Sequence, residues 1–178
     1  MTGGQSGSMT GADASGYRRR LLLWGGVAGA GLGASVDVIL FHLVTGHHHL
    51  LSNRVDPGTA AGLRQNVVYD GLFLAAMVGL AALGAAMVWR TANGATARFS
   101  TTYLAGALVL GAGGFNLYDG VVDHYVLDLH DVVYGTTAWN PHWIGVSVAI
   151  LAVGGLLLAV SPGPIAEPRD GRGSRRSR

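Results

Sequence analysis

Four long apolar runs, separated by short polar stretches, dominate the chain: Leu21 to Val44, Asn66 to Trp89, Thr101 to Tyr125 and Trp143 to Val160. None alternates polar and apolar residues, as the strands of a membrane barrel would. Each is close to the roughly 20 residues a helix needs to cross a hydrocarbon core. Lipid also requires helices, because a single helix satisfies its own backbone hydrogen bonds. The pattern therefore predicts four membrane-spanning helices. The last run is free of ionisable residues and stops at Ser161-Pro162-Gly163-Pro164. Residues 1–17, rich in Gly, Ser and Thr, read as a disordered N-terminal tail, and residues 162–178 as a disordered, Arg-rich C-terminal tail. The transmembrane domain is then 18–161. A signal peptide opening at Arg18-Arg19-Arg20 is the weaker reading, since the apolar run after it continues to Val44, beyond the length of an ordinary signal core.

Composition sharpens this picture. Charged residues make up 12% of the chain and hydrophobic residues 49%, with a mean hydropathy of +0.37. A soluble domain carries about twice that charged fraction. Cysteine is absent, which excludes disulfides, thiolate zinc sites and thiol catalysis. The pI of 9.3 invites a nucleic-acid reading, but the arginines sit at the ends of the apolar runs, so no nucleic-acid partner is expected. Ten of the twelve arginines fall on the side of the chain ends, and only Arg54 and Arg64 on the other. The positive-inside rule then predicts a multi-pass membrane protein with both termini cytoplasmic.

The chain repeats itself. Shifted by 82 positions, Asp37 falls on Asp119, His42 on His124 and His48 on His130. Each copy reads Asp-x4-His-x5-His and follows small residues, Gly31, Gly33 and Ala34 in one and Gly111, Gly113 and Gly114 in the other. A weaker match joins Asn66-x2-Tyr69-x-Gly71 to Asn140-x2-Trp143-x-Gly145. The fold class expected is all-α, an integral membrane four-helix bundle of two parallel-repeat helical hairpins, repeat one 21–89 and repeat two 101–160. Such repeats are related by an axis along the membrane normal, which brings the two Asp-His-His sets together.

Those sets carry the candidate chemistry. All seven histidines and Asp37, Asp70, Asp119 and Asp123 belong to the outer half. A charge at mid-membrane costs about 2.5–3.5 kcal/mol on insertion scales, and no Arg or Lys lies within the apolar runs to offset it. Protons, histidines or a metal cation remain. Imidazole suits Cu, Zn, Fe and Ni, and carboxylate can complete the shell or orient a ligating imidazole. Met77 and Met87 lie away from the histidines, so thioether copper chemistry finds no support. The candidate metal residues are His42, His48, His124, His130, Asp37, Asp119, Asp70 and Asp123.

At 100° per residue, Asp37 shares a stripe with His48, and Asp119 with Asp123 and His130. His42 and His124 fall about 140° from their aspartates. A straight helix would not aim them at one point, unless it breaks near Gly46. A deep His42–His124 pair and a shallower His48–His130 pair are expected. Plainer readings compete: a solvated loop for His47, His49, Asp128 and Asp131, an interfacial charge for Asp123, a helix start for His142, a turn at Asp56-Pro57-Gly58-Thr59, and close helix packing for Gly79 to Ala86.

The stretch Gly114-Phe115-Asn116-Leu117-Tyr118-Asp119-Gly120-Val121-Val122-Asp123-His124, with Leu129-His130, resembles the signature of a bacterial four-helix membrane family known only as a domain of unknown function. Gly33 through Asp37, His42 and His48-His49-Leu50-Leu51-Ser52 resemble its duplicated half, and Tyr69-Asp70-Gly71-Leu72-Phe73 its helix-two motif. Family members often have His where this chain has Leu74, which weakens helix two as a ligand source. The family's association with copper-dependent assembly of terminal oxidases implies copper, and an oxidase or its assembly factors as partners besides the lipid bilayer.

Three functions fit. The first is a metalloprotein with an outward-facing His/Asp copper site for metal handling or redox chemistry linked to respiration, including a metal-dependent oxidoreductase whose catalytic residues the sequence does not name. The second is a b-type haem protein with His42 and His124 as axial ligands. The third is a proton- or metal-ion transporter. Oligomeric state is left open.

Overall fold

A computed structural model describes residues 11–95, 97–98, 100–162 and 165–166. Helix α1 (Gly11–Asp37) runs without a break into a π-helical stretch, Val38–Val44. Helix α2 spans Ala60–Asn93. Helix α3 (Thr101–Tyr118) runs into a second π-helical stretch, Asp119–Val126, and α4 (Asn140–Ala159) follows one 3-10 turn, Thr137–Trp139. All four are long and apolar enough to cross a membrane. Outside them, β1 (Ala97–Arg98) pairs antiparallel with β2 (Ile165–Ala166).

Two boundaries move from the sequence reading. Residues 11–17, assigned to the tail, are helical, because Tyr17 packs with Leu21 and Tyr103 in a buried cluster that extends α1 backward. Helix α2 starts at Ala60, not Asn66, because Thr59 Oγ1 caps it, accepting from the Gly62 amide at 3.0 Å. The turn before it forms as expected, with Asp56 Oδ1 accepting from the Gly58 amide at 2.8 Å. Residues 1–10 and most of 162–178 lie outside the described residues.

The helices pack in the order α2–α1–α3–α4, with α1 and α3 at the centre. Glycine permits the close approach. A Cβ on Gly29 would strike the Leu108 carbonyl, and one on Gly111 the Gly26 carbonyl. Both pairs are related by the 82-residue repeat, so the central crossing is itself duplicated. Gly31 meets the α2 backbone at Ala81, and its equivalent Gly113 the α4 backbone at Leu151. Small residues at crossings are how membrane helices gain contact without a hydrophobic driving force.

The start of α1, the start of α3 and the end of α4 share one end of the bundle. There Tyr103 Oη donates to the Arg18 carbonyl at 3.2 Å and Ser161 Oγ to Ser100 Oγ at 2.9 Å. The opposite end carries both π-helical stretches and the loops after them. Those loops are laced together: the Asn53 amide donates to the Leu129 carbonyl at 2.9 Å and the Tyr134 amide to the His47 carbonyl at 2.8 Å. Arg54 Nη2 donates to the Leu127 carbonyl at 2.6 Å, and Asn53 Nδ2 to Asp128 and Asp131.

Candidate metal centre

The π-helical stretches resolve the geometry that a straight α-helix forbids. Their hydrogen bonds close a wider turn, from residue i to i+5. The Thr45 amide donates to the Leu40 carbonyl at 2.9 Å, and its equivalent, the Leu127 amide, to the Val122 carbonyl at 2.7 Å. Residues five apart thus come round to one face, which is the spacing of Asp37 to His42 and Asp119 to His124. His42 Nε2 stands 3.6 Å from Asp37 Oδ2, and His124 Nε2 stands 3.3 Å from Asp119 Oδ2. The expected 140° separation is therefore not observed. Each stretch ends at a left-handed residue, Gly46 (φ +60) and its repeat equivalent Asp128 (φ 49). The chain then folds back and carries His48 and His130 under the bundle end.

One cluster results, in place of the deep and shallow pairs expected. The ring centroids of His42 and His48 are 4.4 Å apart, those of His48 and His130 4.7 Å, and those of His130 and His124 4.7 Å. Two overlapping groups have the spacing to hold a metal: His42, His48 and His130, and Asp119, His124 and His130, each offering donor atoms within 4.8 Å of one another. His130 belongs to both. All five side chains are buried.

The proton positions on two of these rings follow from their partners. His42 Nδ1 lies 2.8 Å from Asp70 Oδ1, and a carboxylate accepts, so Nδ1 carries the proton. His48 Nδ1 donates to the Val132 carbonyl at 2.8 Å. Both rings thereby turn Nε2 toward the other, and these two nitrogens face each other at 3.0 Å, close enough to share a proton or a metal cation. Burial, with His130 and His42 beside it, pushes the His48 imidazole down to about 2, so it stays neutral at ordinary pH. The four buried ring nitrogens of His124 and His130 make no hydrogen bond of good geometry among the described residues, although both Nε2 atoms lie beside Asp119, at 3.3 and 3.4 Å. Such atoms are costly to leave unmatched.

Asp70 takes a different place from the one expected of a ligand. It accepts from His42 Nδ1, from His49 Nδ1 at 2.6 Å and from the Leu50 amide at 2.8 Å, and it is fully buried. That is the arrangement of a carboxylate orienting a ligating histidine. Asp37 reaches His42 but lies in neither metal-capable group, and buried Asp123 lies in neither as well. His47 and His142 are exposed, in line with their plainer readings.

His49, for which a solvated loop is the competing reading of the sequence, is buried and bound to Asp70. The signal for it was indirect, since one buried carboxylate needs several donors. The weaker repeat match also acquires a meaning. Asn66 Oδ1 accepts from the Leu51 amide at 3.1 Å, and Asn140 Oδ1 from the Val132 amide at 3.0 Å, so each asparagine clasps the loop that follows its histidine. The two hairpins differ at one telling position: the residue of α4 matching Asp70 in that alignment is Ile144. Among the described residues, no carboxylate hydrogen-bonds to His124 Nδ1.

The family model described as "Predicted membrane protein (DUF2243)" matches residues 24–161, more than half of the chain and nearly all of the four-helix region. No curated protein and no solved structure matches it. With four spanning helices, a duplicated buried histidine–aspartate cluster and that match, the chain belongs to the DUF2243 family of membrane proteins.

Proposed function

We propose that the protein is a membrane metalloprotein whose clustered histidines, His42, His48, His124 and His130, hold a transition-metal ion with Asp119 as a carboxylate donor. The observation that carries this reading is the approach of His42 Nε2 and His48 Nε2 to 3.0 Å, with both Nδ1 atoms engaged elsewhere. Nitrogens that close need a proton or a metal ion between or beside them, and the metal is the occupant proposed. Nitrogens each about 2.0–2.1 Å from one ion stand at most about 4.2 Å apart, so the separation suits a shared ion. Copper is the first choice, because nitrogen and oxygen donors bind it most tightly among divalent first-row metals. The chemistry it supplies is one-electron redox or metal delivery on the outer side of a bacterial inner membrane, in respiration and beside an oxidase or its assembly factors. The arginine distribution supports placing the cluster outside and the chain ends inside.

Haem is the weaker occupant. His130 stands within 5.6 Å of His42 and 4.7 Å of His124, centroid to centroid, in the space a macrocycle between those two would need. Transport is weaker too, since the half of the bundle away from the cluster offers no continuing line of ionisable side chains.

The test is elemental analysis of the purified full chain. About one copper per chain is expected at saturation, falling to background in a His42→Ala/His124→Ala variant and unchanged in an exposed control, His142→Ala. Equal metal content in the wild type and the double variant, or a Soret band in place of copper, overturns the reading.

A further inference from the structure

A groove of about 380 Å³ opens where α1 meets α3 and runs from Gly29 and Leu108 toward the histidine end. Its walls are apolar: Leu32 and Val36 on one side, Val109 and Ala112 on the other. Leu32 and Val36 are 52% and 54% exposed within a spanning helix, so the groove opens sideways into lipid. Its far end is different. Asp37, Asn116 and Trp143 line it there, beside Phe41. Asp37 Oδ1, Asn116 Oδ1 and Trp143 Nε1 are buried and without hydrogen-bond partners among the described residues. Asp37 as a whole is 5% exposed.

From these features we propose that the groove binds a lipid-soluble hydroquinone or phenol, its ring hydroxyl against Asp37, Asn116 and Trp143 and its apolar tail along the α1–α3 crossing. Two acceptors call for a donor and an indole N–H calls for an acceptor; a hydroxyl is both. Phe41 and Trp143 meet edge to face at 5.3 Å and form walls suited to a planar ring. The volume lies within the usual range for small-molecule sites. A phospholipid headgroup fits less well, because no basic side chain lines the groove to meet its phosphate. Asp37 Oδ2 also lies 3.6 Å from His42 Nε2, so the ring would stand one carboxylate away from the histidine cluster. The site goes beyond the metal reading and does not depend on it, since Asp37 lies in neither metal-capable group.

The experiment uses the full chain in phosphatidylcholine nanodiscs, with and without chelator treatment. The probes are a decyl-substituted benzohydroquinone kept reduced with ascorbate and the dimethyl ether of the same compound. Saturable binding of the hydroquinone is expected in both preparations, about tenfold tighter than that of the ether, which accepts but cannot donate. Asn116→Leu should remove most of that preference. Val36→Trp, at an exposed position, should block both probes by filling the groove. Equal affinity for the two probes would make the groove an ordinary lipid crevice and overturn the proposal. So would binding that neither variant alters, or no saturable binding at all.

Discussion

At Asp70 one carboxylate answers three donors, His42, His49 and the Leu50 amide, with both oxygens engaged. Its role is to hold His42 in one tautomer and one orientation. Asp70→Asn should therefore weaken copper binding by roughly 10–100-fold, the usual effect of losing an outer partner of a metal-bound histidine. A competitive chelator titration measures this, and unchanged affinity would show that His42 is oriented by something else. His48 carries a second residue-level consequence. Its folded form stays neutral down to about 2, whereas in the unfolded chain it takes up a proton near 6.5. The unfolded state thus binds more protons across that window, so His48 contributes a loss of stability as pH falls below about 6.5. In metal-free protein, His48→Gln should raise the melting temperature at pH 5 relative to that at pH 7.5, compared with the same difference in the wild type. An equal gap in the variant would place the titration elsewhere.

At the scale of the element, the π-helical stretches and the glycine crossings divide the work of building the cluster. The crossings set how closely α1 and α3 approach. A methyl group on Gly29 would meet the Leu108 backbone, whereas one on Gly79 meets open space. Gly29→Ala should cost roughly 1–3 kcal/mol, and Gly79→Ala should be neutral or stabilising by up to about 1 kcal/mol. Thermal unfolding in one detergent compares them; equal effects would mean that the crossing is looser than described. The sequence made the four helices legible, because apolar length alone decides what can span lipid. It also exposed the repeat, because Asp and His are rare in such spans. The π-turns were not legible: at an α-helical pitch Asp37 and His42 diverge, and nothing local in Val38–Val44 announces a wider turn. His49 and the two clasping asparagines were hidden for a related reason, since their partners lie across loops whose path the pattern does not fix.

In the whole molecule, two related hairpins meet on α1 and α3, and their loops hydrogen-bond to each other over the cluster. The duplication is incomplete where chemistry is concerned. His42 has Asp70 behind it, and the α4 residue aligned with Asp70 is Ile144. The two metal-capable groups accordingly differ in composition, with His130 common to both. The orientation proposed for this assembly is directly accessible, because the chain has no cysteine of its own. Ala61→Cys, near the cluster end, should react with a membrane-impermeant maleimide in intact cells. Asn93→Cys, at the other end of α2, should react only after permeabilisation. The opposite pattern would invert the topology and put the cluster on the cytoplasmic side.

The most direct test of the central claim is energy-resolved anomalous diffraction from crystals of the copper-loaded full chain, with X-ray absorption at the copper edge. The account predicts a peak within the cluster of His42, His48, His124 and His130, from both hairpins, with nitrogen neighbours in the absorption spectrum. A map without metal among those rings, with a proton shared between the facing His42 and His48 nitrogens, would contradict it.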